Sequence, residues 1–168
     1  MSNWNENLTD RLVEYAERHN IQLVDELGYG YDGTVVSTTR QTALKALRYL
    51  GLYQNERNVY LRLRDLEVFQ VRRFNIPKLR GYDDNLWILE MDIVSPPFVL
   101  DFAGAYLDHQ PDYGEEVYRE WVEEKREQFG ENWPEVRKVM RELAGHGIYL
   151  ADVKPGNIEF GRDDIAAP

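Results

Sequence analysis

Apolar residues Leu12, Val13, Tyr15 and Ala16 recur at near-helical spacing through residues 8–19, behind Asn7 or Thr9 as a cap, and predict an amphipathic opening helix. From Ile21 the period shortens. Ile21, Leu23, Asp25 and Leu27 alternate with polar or smaller neighbours, glycines stand at 28, 30 and 33, and residues 34–39 are rich in β-branched side chains. That pattern predicts a strand, a glycine turn and a second strand. Residues 42–47 fit a third short strand, and residues 53–66 carry Val59, Tyr60, Leu63 and Leu66 on one helical stripe. Turns at Pro77 and at residues 81–84 precede Trp87-Ile88-Leu89, which reads as a further strand.

Ser95-Pro96-Pro97 is a stiff connector, because proline fixes its own backbone angle and donates nothing to a sheet ladder. Beyond it the pattern is helical: a highly charged helix over 115–129 ended by Gly130, then a helix opened by Pro134 and running through Leu143 and Ala144. Residues 145–160 read as a loop followed by a short strand. The expected organisation is an α+β chain with an N-terminal helix over 1–20, a β-rich half with one main helix over 21–95, and a helical half over 96–168.

A hydrophobic content of 43% is enough to bury a core. The formal net charge of −10 opposes general binding to nucleic acid or to an anionic membrane, because phosphate would be repelled over most of the surface. Cysteine is absent, which excludes a disulfide framework and a thiolate metal site and fits a reducing cytoplasm. The polar start Met-Ser-Asn-Trp-Asn-Glu-Asn lacks the pattern of a signal peptide, and no apolar stretch approaches the length of about 20 residues that a membrane helix needs. The expectation is a cytoplasmic protein. His19, His109 and His146 are too scattered to suggest a metal site.

Two stretches carry chemistry. Gly28-Tyr29-Gly30-Tyr31-Asp32-Gly33-Thr34-Val35 has a G-x-G-x-x-G-x-V spacing, in which bare backbone can approach phosphates. The β-branched strand after it argues against a dinucleotide-binding turn, which must open a helix. Twelve positions after Gly33, Lys45 lies on the next strand, and Glu56 follows on the next helix. At the far end, residues 147–158 read Gly-Ile-Tyr-Leu-Ala-Asp-Val-Lys-Pro-Gly-Asn-Ile.

That last segment resembles the catalytic loop of protein kinases, whose recurring core is D-x-K-P-x-N. With the glycine turn, Lys45 and Glu56 in the same order, the resemblance covers roughly residues 21–160 and implies a shortened two-lobe, serine/threonine-kinase-type fold with a truncated helical lobe. It implies that Gly28, Gly30, Gly33 and Val35 form the phosphate-facing turn, and that Lys45, held by Glu56, meets the α- and β-phosphates of ATP. Either Glu90 or Asp92 would take the first position of the hinge, which would face the adenine with backbone groups. Asp152 would accept the hydroxyl proton, Lys154 would meet the transferring phosphate, and Asn157 would hold Mg²⁺ or Mn²⁺.

The sequence departs from that pattern in places. Leu150 and Ala151 stand where the family usually has histidine and arginine, and Asp32 brings a charge to the turn. No D-F-G motif follows Asn157, so only Asp163 or Asp164 is at hand as a substitute metal ligand. Losing about 4 kcal/mol of metal stabilisation would slow transfer roughly a thousandfold. The resemblance therefore implies an ATP-dependent phosphotransferase of low or conditional activity, with two alternatives: a pseudokinase acting as a binding module, and a small-molecule phosphotransferase. Apolar residues Trp121, Trp133, Val136 and Met140 either await a partner protein or second copy, or form the helical half's own core. The basic residues Arg57, Arg62, Arg64, Arg72, Arg73, Lys78 and Arg80 form either a solvated face or a docking site for an acidic partner.

Overall fold

The structure, a computed structural model, describes residues 4–95, 98–150 and 152–161. Pro96 and Pro97 of the expected connector, Ala151, and the candidate metal ligands Asp163 and Asp164 lie outside the described residues. In chain order the elements are α1 (Trp4–His19), β1 (Leu23–Tyr29), β2 (Gly33–Thr38), β3 (Thr42–Leu47), α2 (Leu50–Asp65), β4 (Gln70–Val71), β5 (Phe74–Asn75), β6 (Leu79–Asp83), β7 (Ile88–Asp92), β8 (Val99–Leu100), β9 (Tyr106–Leu107), α3 (Glu115–Phe129), α4 (Trp133–Gly145), β10 (Ile148–Tyr149) and β11 (Ile158–Glu159). The α+β class expected from the sequence is the class observed, with a sheet-rich first half and the later helices α3 and α4.

Two compact units divide the chain: residues 1–65 with 77–93, and residues 66–76 with 94–168. Residues 66–76, grouped by sequence with the first half, belong to the second unit because their strands β4 and β5 pair with each other and β5 runs parallel to β8.

In the first unit a five-stranded sheet has the order β1-β2-β3-β7-β6, every pair antiparallel. Strand β3 is central and all six of its residues are buried. Alternation along it sends Leu44 and Ala46 to one face, where they meet Leu8, Leu12, Tyr15 and Ala16 of α1 together with Ile88 of β7. The opposite face of β3 carries Lys45. Helix α2 supplies the partner for that face and buries Tyr53, Glu56, Val59, Tyr60 and Leu63.

The helix expected over 53–66 begins three residues earlier and stops at Asp65. Leu66, placed on the apolar stripe by its spacing, is half exposed beyond the helix end. Trp87 likewise stands outside its expected strand. Its φ of +51° belongs to the tight turn that brings β6 back as β7.

The second unit holds a four-stranded sheet of order β11-β8-β5-β4 and a two-stranded ribbon of β9 and β10. Helix α4 buries Trp133, Val136, Val139 and Leu143 at helical spacing, and Pro134 sits in its first turn, where a missing N–H costs nothing. Of the four apolar residues in question, Trp133 and Val136 therefore belong to the unit's own core, while Trp121 and Met140 line a surface cavity. Among the described residues no helix is long and apolar enough to cross a membrane.

Candidate functional site

The first constellation lies wholly in the first unit. The β1–β2 hairpin closes through the Gly30 N–H donating to the Gly33 carbonyl at 3.0 Å, and the Thr34 hydroxyl donates to the Gly28 carbonyl at 3.2 Å. A Cβ at Gly28 or Gly30 would meet nothing within 4 Å, so both present bare backbone to open space. Gly33 is glycine for a different reason. A Cβ there would stand 2.0 Å from the Ala46 carbonyl oxygen on β3, far inside contact distance. Arg48 braces the turn from behind: its backbone N–H donates to the Asp32 carbonyl at 2.8 Å, and its guanidinium reaches the Gly30 carbonyl at 3.4 Å. Beside it the Tyr31 and Tyr49 rings lie 5.8 Å apart, and a hydrogen bond with Tyr31 raises the Tyr49 hydroxyl pKa above the usual tyrosine value.

Val35 of β2 is the ladder partner of Lys45 and shares its face of the sheet. The Lys45 ammonium lies 2.6 Å from the Glu56 Oε1, with 11% of the lysine side chain and 1% of the glutamate exposed. Strand β3 and helix α2 thus hold an ammonium in fixed position on the face that also carries Val35. Removing water from such a pair strengthens its mutual attraction and confines the lysine to a narrow range of positions.

The carboxylates of Glu90 and Asp92 lie off the Lys45 face of the sheet. Strand β7 sends Glu90 to the α1 face, where its carboxylate accepts hydrogen bonds from the Tyr15 hydroxyl at 2.9 Å and the Thr42 hydroxyl at 2.7 Å. Burial and that carboxylate together push the Tyr15 pKa well above the ordinary tyrosine value. Asp92 forms a two-pronged pair with Arg80, at 2.6 and 2.8 Å, and its N–H donates to the Lys78 carbonyl. Neither carboxylate is brought to Lys45. The first residues past the ladder are Ile93, Val94 and Ser95.

The second constellation lies wholly in the second unit. Val153 and Ile158 are buried and pin the ends of an exposed turn, in which the N–H groups of Asn157 and Ile158 both donate to the Lys154 carbonyl. The Asn157 carbonyl then accepts from the Asp101 N–H, and Ile158 pairs with Leu100 of β8. Within this frame the Asn157 side-chain amide donates to the Asp152 carbonyl at 2.8 Å, and the Lys154 ammonium lies 2.6 Å from the Asp152 Oδ2. Three side chains within a span of six residues are thereby gathered on one turn. The Asp152–Lys154 pair is about half exposed, so it is weakly held and opens readily to an incoming group.

An ATP phosphate chain suits the open glycine turn and the fixed ammonium of the first unit. Among the described residues the donor set for a divalent metal does not suffice, and the candidates Asp163 and Asp164 lie outside them. Among the described residues no group of three or more histidine, aspartate and glutamate side chains could hold a metal ion. We accordingly derive no step through a metal.

Several of the crowded basic residues have partners within their own unit. Arg57 pairs with Asp84, Arg72 with Glu135 and Arg80 with Asp92, while Arg73 lies over the Phe98 and Phe160 rings. Sequence reasoning missed the bracing role of Arg48 and the Tyr15–Glu90–Thr42 network. Both join residues far apart in the chain without a periodic signal.

No protein-family model matches this chain, and no curated protein matches it. Among solved structures it is similar to a chain of the streptomycin–ATP–APH(2″)-IIa ternary complex, at 17% identity and a TM-score of 0.41. The match covers 80% of this chain and 38% of that one.

Proposed function

We propose that this chain is a protein-kinase-like, ATP-dependent phosphotransferase. In this reading Gly28, Gly30 and Gly33 shape the turn that admits the ATP phosphates, and Lys45, positioned by Glu56, neutralises the α- and β-phosphates. Asp152 accepts the proton of the acceptor hydroxyl as its oxygen attacks the γ-phosphorus. Lys154 leaves Asp152 to meet the charge developing on the transferring group, and Asn157 holds the Asp152 backbone in place. The bond from the γ-phosphorus to the bridging oxygen breaks, and ADP carries away the displaced electron pair.

The buried Lys45–Glu56 pair on the Val35 face of the glycine hairpin carries the reading, because a solvated surface pair would not need a buried glutamate opposite a strand lysine. The acceptor class, a serine or threonine hydroxyl or a small-molecule alcohol, follows from Asp152 as base and is resolved by assay. The test is transfer of labelled γ-phosphate from ATP, with Mg²⁺ or Mn²⁺, to casein and to a panel of small alcohols at high protein concentration. Transfer that falls by about a hundredfold or more in Asp152→Asn supports the assignment. Equal rates in variant and parent overturn it, and saturable ATP binding with no transfer assigns a nucleotide-binding module instead.

A further inference from the structure

A cavity of about 500 Å³ opens within the second unit, and its lining reaches Tyr149 and Leu150, just before the Asp152 turn. Its walls come from α3, α4, the segment before α3, and Tyr149 of β10 with Leu150. Tyr118 and Trp121 stack at 5.8 Å with 22° between their planes, and Trp121 meets Trp133 edge-on at 5.9 Å. Tyr113 and Tyr118 are each more than half exposed, so a large aromatic surface faces solvent.

Two further observations give this surface a polarity. The Trp133 indole Nε1–H is buried with no hydrogen-bond partner among the described residues, a rare condition for a buried donor. Arg137 and Arg141, one turn apart on α4, also line the cavity, and among the described residues neither makes a salt bridge. This is notable in a chain with 30 acidic and 20 basic residues. No aspartate or glutamate lines the cavity. Flat apolar walls with cationic donors and no anionic acceptor select a ligand that is flat, apolar and negatively charged.

We propose that this cavity binds a small aromatic carboxylate, its ring against Tyr118 and Trp121 and its anion on Arg137 and Arg141. The site is confined to the second unit and does not depend on the nucleotide reading. Its volume lies within the range of about 300 to 1,000 Å³ typical of small-molecule sites.

Calorimetric titration of the full chain with 1-naphthoate, and with uncharged 1-naphthalenemethanol, tests the proposal. Naphthoate binds at one site at least about tenfold more tightly than the alcohol, the discrimination expected of one charge-assisted contact. The Arg137→Gln, Arg141→Gln double variant abolishes that difference and leaves ATP affinity unchanged. Both arginines are exposed, so the variant retains the fold, which a thermal melt confirms. The proposal is overturned by equal affinity for the two probes, by no naphthoate binding, by a preference that survives the double substitution, or by competition between naphthoate and ATP. Sedimentation adds a further arm: a parent dimer that becomes monomeric in the double variant assigns the cavity to a second copy of the chain and overturns a small-molecule site.

Discussion

Lys45 Nζ stands 2.6 Å from Glu56 Oε1, and the glutamate is only 1% exposed. A buried pair of this kind is costly to break from one side, because the remaining charge keeps its desolvation penalty without its partner. Lys45→Ala is therefore expected to lower unfolding stability by about 3 kcal/mol or more, a stronger effect than the mere loss of a phosphate contact. Replacing both residues, as Lys45→Met with Glu56→Leu, restores most of that loss. Urea unfolding of the three proteins measures it, and a single variant as stable as the parent would place Glu56 with another cation.

The glycines separate by mechanism. Gly33→Ala forces a Cβ against the Ala46 carbonyl and is expected to destabilise by about 2 kcal/mol or more, as overpacking does. Gly30→Ala meets open space, so the thermal midpoint stays within about 2 °C of the parent while ATP affinity falls. Parallel melts and ATP titrations check both, and equal destabilisation of the two variants would contradict the difference in packing.

Most of the first unit was legible because its periods are clean and its first three strands pair with their neighbours in sequence. Residues 42–47 were read as a strand with the bounds that β3 has, and the 115–129 helix matched α3 to the residue, since Gly130 ends it unambiguously. Pattern reading failed where tertiary pairing decides. Strands β4, β5, β8, β9, β10 and β11 are two residues long, too short to show a period, and apart from the β4–β5 hairpin their pairings join segments distant in sequence. Leu66 was misplaced because helical spacing continues past the point where the helix stops. For the candidate sites, residue type and order pointed to Lys45 with Glu56 and to Asp152 with Asn157. Glu90 and Asp92 share a strand face, but sequence alone could not say that Tyr15, Thr42 and Arg80 occupy their carboxylates.

Alkaline pH tests the buried tyrosines. Burial is the largest cause raising the pKa of both Tyr15 and Tyr53, followed by hydrogen bonds to Glu90 and to Asp84 respectively. The unfolded chain therefore loses protons near pH 10 that the folded chain keeps, and stability is full below pH 10 and declines as pH rises above it. Tyr15→Phe with Tyr53→Phe is expected to flatten that decline in denaturant titrations between pH 8 and pH 11. An unchanged slope would show that other groups carry it. At the acid end, Asp84 is held below the usual carboxylate range by Tyr53 and Arg57, and its contribution is lost as pH falls through that lowered value.

The exposed turn is expected to be separable from the fold. Asp152→Asn alters a half-exposed pair, so stability changes by no more than about 1 kcal/mol, whereas Asn157→Ala removes the bond to the Asp152 carbonyl and costs about 1 kcal/mol. Denaturant midpoints measure both. A collapse of the fold in Asp152→Asn would make the turn structural.

The most direct test is calorimetric titration of the parent, and of the stability-restored Lys45→Met, Glu56→Leu variant, with ATP and with AMP. If the glycine turn and Lys45 hold the phosphate chain, the parent binds ATP saturably and at least about tenfold more tightly than AMP, and the variant loses that preference while remaining folded. A folded parent with no saturable ATP binding, or an ATP preference that persists without Lys45, would contradict the account.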